Sequence, residues 1–192
     1  RAALALQAWA PGQGHPAQGA ALHLEKHLPL ASGIGGGSSD AAAALHLLVS
    51  HWGLPIHLDD LSRLAATIGA DVPVCLRGHS SLMSGLGDIV EPASSLPDFH
   101  LLLVNPRVQV STADVFRALK VRSGAIAPAM PPKMALREFV GWLDRTINDL
   151  AAPARTLLPV IARVEQAIVA TQGCLLARMS GSGATCFGIY AD

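Results

Sequence analysis

The sequence predicts an α+β fold, and the order of its apolar runs carries that expectation. Strand-like apolar runs are mixed with helix-like stretches without strict alternation, which argues against a doubly wound parallel sheet. The chain has 192 residues, enough for one large domain or two small ones at ~100–200 residues each. Hydrophobic residues make up 51% and charged residues only 15%, which excludes a disordered chain. Aromatics are 4%, so the core must be built mostly from Ala, Leu, Val and Ile.

The elements follow in order. Residues 2–10 are Ala/Leu-rich and read as the end of a helix, and Pro11 to Gly19 reads as a loop. Ala20 to Leu28 alternates as a strand does, with Leu22 and Leu24 against His23, Glu25 and Lys26. A glycine-rich loop, Pro29 to Ser39, leads into a helix from Asp40 to Trp52 that Gly53 and Pro55 close. Asp59 or Asp60 caps the next helix, which runs to about Ile68 and ends at Gly69 in the usual position past a helix. Asp71 to Leu76 runs into a short apolar strand, and Ser80 to Val90 forms two short strands around Gly85 and Gly87. Glu91 to Asp98, with two prolines and two serines, is the best linker, dividing the chain into domains 1–94 and 95–192. Beyond it come a strand at His100 to Val104 and a helix at Ser111 to Leu119, opened by Ser111 or Thr112. A loose stretch, Ser123 to Lys133, precedes helices at Leu136 to Asp149 and Ala154 to Thr171. Strands at Cys174 to Met179 and Thr185 to Tyr190 close the chain around the Ser180-Gly181-Ser182-Gly183-Ala184 turn.

Charge and cysteine usage narrow the function. Fourteen basic residues balance fourteen acidic ones, so nothing draws the chain as a whole to nucleic acid or anionic lipid. No basic cluster interleaves with aromatics, which also argues against a nucleic-acid module. Mean hydropathy is +0.39, yet the longest apolar run, Ala41 to Val49, falls far short of the ~20 residues of a spanning helix. The chain is therefore expected to be soluble. Cys75, Cys174 and Cys186 form no CxxC pair and leave an odd one over, which suits free thiols in a reducing cytoplasm.

The chemistry sits in the first glycine-rich loop. Gly33, Gly35, Gly36 and Gly37 let the backbone approach a ligand closely, and a helix start follows at once. Free N–H groups and the helix dipole make such a start an anion site, naturally for phosphate. Ser38 and Ser39 add hydroxyls, with Ser39 a candidate Mg²⁺ ligand. No lysine follows the glycines as a Walker A loop requires, and Ser38 stands where a dinucleotide fingerprint needs its last glycine. Asp71 is expected just past a helix C-terminus, where its charge opposes the dipole and brings no structural benefit. The Ser180–Ala184 segment is explained equally well as a tight hairpin.

Together these segments resemble the GHMP kinase superfamily. Leu28-Pro29 through the alanine-rich helix is similar to its ATP-binding motif, and Cys174 to Tyr190 to its C-terminal glycine motif. Gly35-Gly36-Gly37-Ser38-Ser39 with Gly69-Ala70-Asp71-Val72-Pro73-Val74 narrows the likeness to the branch that phosphorylates a cytidylylated methylerythritol. Arg77-Gly78, Gly85-Leu86-Gly87, Ser111 to Phe116 and Asn148-Asp149-Leu150 agree. The resemblance implies a two-domain fold: an N-terminal βαβ-type domain with the ATP loop and a C-terminal ferredoxin-like domain, both incomplete. It implies ATP and Mg²⁺ as cofactors and transfer of the γ-phosphate to the 2-hydroxyl of 4-diphosphocytidyl-2-C-methyl-D-erythritol, on the non-mevalonate route to isoprenoid precursors. Lys26 would lie near the adenine, and Pro29, Leu30, Ala31, Ser32, Gly33, Ile34, Gly35, Gly36, Gly37, Ser38 and Ser39 would wrap the phosphates. Asp71 would be the catalytic aspartate, Phe116 would stack on the cytosine with Thr112 nearby, and Gly181 to Ala184 would pack close to the site.

The likeness has departures. Relatives carry an N-terminal lysine and an Asp-Gly-Tyr-His segment that this chain lacks, and they continue past its last strand. The expectation is a fragment lacking both ends and inactive alone, from a monomer or homodimer. Ser180 replaces a usual threonine, and Asp40 an asparagine of some relatives, where it can cap the helix. Two alternatives stay open: another GHMP small-molecule kinase, of homoserine or mevalonate type, and a non-catalytic nucleotide-binding fragment.

Overall fold

The computed structural model describes residues 1–192 except 17, 30–31, 86, 88, 94 and 121–126. The chain divides into two compact units, one of Arg1–His27 with Gly35–Ala93 and one of Leu28–Ile34 with Ser94–Asp192. The α+β class holds.

The first unit is helical, with one hairpin. It contains α1 (Ala2–Gly12), α2 (Gly36–Trp52), α3 (Leu58–Ala66), α4 (Val72–Arg77), β1 (Ser81–Ser84) and β2 (Ile89–Pro92). Leu6, Leu45, Leu48, Leu61, Ala65, Val72 and Leu76 form its core, so one face from each helix is buried. β1 and β2 pair antiparallel about Gly85 and Gly87. Gly53 closes α2 at φ +62, as its place after the periodic stretch predicts.

Four expectations fail in this unit. Ala20–Leu28 is not a strand: it is irregular, with Leu22, Leu24 and Leu28 exposed. Alternation assigns faces but supplies no partner, and a ladder needs one. α2 starts at Gly36 rather than Asp40, so Gly36 to Ser39 are its first turn and Asp40 is no cap. α3 is capped from His57, with Asp59 and Asp60 inside its first turn, and its C-cap is Thr67 rather than Gly69. Val72–Arg77 is helix rather than strand, because Pro73 fits a helix's first turn and Gly78 ends it at φ +64.

The second unit is built on a three-stranded antiparallel sheet. Its strands are β3 (His100–Val104), β4 (Leu176–Met179) and β5 (Cys186–Tyr190), ordered β3-β5-β4. α8 (Val160–Val169) packs on β4 and β5, and a Cβ at Gly188 would meet Ile168 Cγ2 at 2.6 Å. α5 (Thr112–Ala118) is capped by Ser111, whose hydroxyl accepts from Asp114 N at 3.3 Å. α6 (Leu136–Asp144) is shorter than expected, and Glu138 reaches back to accept from Ala135 N at 2.9 Å. α7 (Ala151–Leu157) and α8 replace the single helix expected over 154–171, because Pro159 cannot continue a helix and keeps Leu158 out of the helical region. Of the loose stretch expected from Ser123 to Lys133, residues 123–126 lie outside the described residues, while 127–133 carry neither helix nor strand.

Two apolar clusters fill this unit. Val110, Val115, Ala154, Ile161, Ile168, Met179, Ala184 and Cys186 form one, and Met134, Phe139, Trp142 and Ile189 the other. Glu165, on α8, is buried. Arg155 donates to both its oxygens at 2.7 and 2.9 Å, and Met179 N donates to it at 3.0 Å. That bidentate bond raises the Arg155 pKa above its ordinary value. Burial, reinforced by Glu165, pushes the neighbouring Cys186 thiol up to about 11.

Candidate functional site

The glycine-rich stretch is divided between the two units, Leu28–Ile34 in one and Gly35 onward in the other. In the first unit, Gly35 takes φ +71 and hands the chain to α2. Ser38 N and Ser39 N both donate to Gly35 O at 2.9 Å. The amides of Gly36 and Gly37 precede every acceptor the helix itself can offer. A Cβ at Gly35 or Gly37 would meet nothing within 4 Å, so the space over the first turn is open. Lys26 Nζ lies 3.7 Å from where a Cβ of Gly36 would stand, and donates to Asp40 Oδ2 at 2.5 Å. A helix N-terminus with open backbone favours an anion, while the Lys26 ammonium beside it is paired with Asp40. Ser39 Oγ donates to Gly36 O at 3.0 Å, which leaves its lone pairs available to a cation.

Asp71 sits at the N-terminal end of α4, not past a helix C-terminus as expected. A carboxylate is favourable there. Its side chain makes no capping bond and is exposed. α4 packs against α2, and His46 Nε2 lies 3.0 Å from Leu76 O between them. Behind Asp71, a Cβ at Gly87 (φ +93) would meet Ala70 O at 2.9 Å, so the hairpin touches the residue before it. Burial, and secondarily Asp71, raises the Cys75 thiol above its ordinary value.

In the second unit the other half of the stretch is held tightly. Ser180 Oγ donates to Gly33 O at 2.8 Å, and Thr185 N donates to Ser32 O at 3.2 Å. A Cβ at Gly33 (φ +73) would meet Gly183 O at 2.4 Å and Ser180 O at 2.8 Å. Thr112 Oγ1 and Ser182 Oγ share a hydrogen bond of 2.8 Å. Phe116 is 54% exposed, so this aromatic is not a core residue. Leu30 and Ala31 lie outside the described residues.

The structure thus joins Lys26 to the start of α2, Ser32 and Gly33 to the Ser180–Thr185 turn, and Thr112 to Ser182. Pro29 and Ile34 flank that contact in the chain without a hydrogen bond of their own to the turn among the described residues. Asp40 as the partner of Lys26 was not legible, because a spacing of 14 residues between irregular chain and helix has no period. Among the described residues no group of three His, Cys, Asp or Glu can hold a metal ion, and no helix is long and apolar enough to cross a membrane.

Residues 1–79 match the family model of the GHMP kinases N terminal domain, and residues 135–192 that of the GHMP kinases C terminal. The chain is similar to the 4-diphosphocytidyl-2-C-methyl-D-erythritol kinase of Parvibaculum lavamentivorans, with 52% identity over 90% of this chain and 61% of the relative. It is similar to that of Paramagnetospirillum magneticum, with 50% identity over 91% and 61%. It therefore spans about three fifths of the length of these curated relatives. A crystal structure of 4-(cytidine 5'-diphospho)-2C-methyl-D-erythritol kinase superposes with a TM-score of 0.73 at 33% identity, covering 98% of this chain and 67% of that one. A homoserine kinase from Cytophaga hutchinsonii shares the fold, with a TM-score of 0.64 at 21% identity over 87% of this chain and 59% of that one.

Proposed function

Because this chain belongs to the GHMP kinases, we propose that it carries the nucleotide and acceptor machinery of an ATP-dependent small-molecule kinase acting on 4-diphosphocytidyl-2-C-methyl-D-erythritol. The observation that supports this most is the open start of α2, with Gly35 at φ +71 and Lys26 beside Gly36. Relatives of that name at 50% identity and above support the acceptor.

Phosphoryl transfer asks a protein for positioning and charge neutralisation rather than covalent chemistry. The Gly36 and Gly37 amides would hold phosphate oxygens, with the backbone of Pro29 to Ile34 and the Ser38 hydroxyl completing the wrap. Lys26 would turn from Asp40 toward the nucleotide. The donor set fits Mg²⁺ carried on the ATP phosphates rather than in a protein cage, with Ser39 Oγ one available oxygen. Bound there, the ion would neutralise the charge of the transferred group. Asp71, unspent in capping, would accept the proton of the 2-hydroxyl or orient it. Phe116, exposed on α5, would stack on the cytosine, with Thr112 beside it. The two units would correspond to the N- and C-terminal kinase domains, divided near residues 94–95. Three free cysteines fit a cytoplasmic enzyme.

The test is ADP release with three acceptors, on this chain extended to the length of its curated relatives. Release with 4-diphosphocytidyl-2-C-methyl-D-erythritol and not with homoserine or mevalonate is expected. Release with either of the latter reassigns the acceptor, and nucleotide binding without any turnover leaves a binding module. Asp71→Asn is expected to abolish turnover, a loss of at least ~100-fold, with ATP affinity unchanged. Retained turnover removes Asp71 from its role.

A further inference from the structure

The turn between β4 and β5 touches two segments that would serve different ligands. On one side Ser180 and Thr185 bond to the backbone of Gly33 and Ser32. On the other, Ser182 bonds to Thr112 at the start of α5. Ser182 is 8% exposed and Thr185 2%, so their hydroxyls must find partners inside the protein. Both do.

Two asparagines fix the turn from outside it. Asn148 Nδ2 donates to Gly181 O at 2.8 Å and to Met179 O at 3.3 Å. Asn105 Nδ2 donates to Thr185 Oγ1 at 2.8 Å, while its Oδ1 accepts from Arg107 N at 2.7 Å. Gly183 at φ +92 packs so closely that a Cβ would meet Met179 Sδ at 3.0 Å and Ile161 Cδ1 at 3.2 Å. The turn is therefore tied to the core behind it.

We propose that this turn links the phosphate loop to the acceptor helix, and that Asn148 is the positioning residue that holds the link. The proposal rests on Gly33 lying in the phosphate loop and on Thr112 facing the acceptor. Ordering Gly33 by a bound nucleotide then steadies Thr112 through Ser180 and Ser182, and a ligand that finds its site already ordered binds more tightly. Nucleotide and acceptor thus bind with positive coupling, reciprocal in the two directions.

The experiment has two arms on the 192-residue chain. The first is hydrogen exchange without ligand. Asn148→Ala touches neither segment, yet residues 32–34 and 112–116 are both expected to lose protection. Trp142→Phe, which removes the indole bonds to Pro128 O and Ala129 O in the other apolar cluster of the unit, is the control for general loosening. Loss in only one segment, or a uniform loss like that of the control, overturns the link. If Asn148→Ala does not fold, Ser180→Ala is read by the same criterion: loss at 112–116, which Ser180 does not touch, supports the link, and its absence overturns it. The second arm is calorimetry with ADP, with and without cytidine diphosphate. A gain of about fivefold in ADP affinity is expected, abolished by Ser182→Ala. An unchanged affinity in the unsubstituted chain overturns the coupling. Failure of ADP to bind at all counts against the kinase reading, while the ligand-free arm still decides the link.

Discussion

Gly33 and Gly37 stand four positions apart in one glycine-rich stretch, yet they are glycine for opposite reasons. Gly33 is enclosed: its φ is +73, and a methyl group would be driven into the carbonyl oxygens of Gly183 and Ser180. Gly37 is helical and open, with nothing within 4 Å of an added Cβ. Gly35 lies between these cases, with open space but a φ of +71. One end of the stretch is therefore specified by packing against this chain. The other is left empty by it.

Substitution by alanine separates the three cases. The largest effect is expected for Gly33→Ala, where left-handed strain adds to backbone overlap that neither partner can relieve. A loss of about 3 kcal/mol in denaturant titration is expected, with the 32–34 amides unprotected. A loss under about 1 kcal/mol would mean that the Ser180 contact is soft, and the contrast with Gly37 would fail. Gly35→Ala carries the strain without the overlap. About 1 kcal/mol is expected from the same titration, with the 32–34 amides unaffected.

The same contrast explains what the sequence made legible. Local signals worked: Gly53 ended α2, Ser111 capped α5, and the apolar runs at His100–Val104 and Leu176–Met179 became strands. That a helix follows the glycine-rich stretch was legible because helix geometry is local. The packing of the stretch's other half was not, since the partners Gly33 and Ser180 are 147 residues apart. Nothing at either position specifies that spacing, and resemblance alone pointed to closeness of the later glycine motif. The misread elements share a cause. Val72–Arg77 is too short and too uniformly apolar to show a period, and only Pro73 marked it as a helix start. At Ala20–Leu28 the alternation was real, but pairing is a property of two segments, not one. Asp71 was misplaced with α4: once Val72 begins a helix, its carboxylate moves from the wrong end of one dipole to the right end of another.

Gly37→Ala is the smallest change in stability and the sharpest in meaning. Alanine favours helix over glycine, and nothing in this chain obstructs its methyl group. Stability is therefore expected to rise by about 0.5 kcal/mol. If the open first turn of α2 is kept clear for phosphate, the same methyl group displaces the ligand. ADP affinity is then expected to fall about tenfold, or 1.4 kcal/mol, in a protein that has become more stable. Denaturant titration and calorimetry on one variant read both quantities. A gain in stability with affinity retained would make the open space incidental, and phosphate recognition would have to move toward Gly33. Opposed changes of sign leave no structural explanation for glycine at this position, because a defect in folding cannot both stabilise the chain and weaken the ligand.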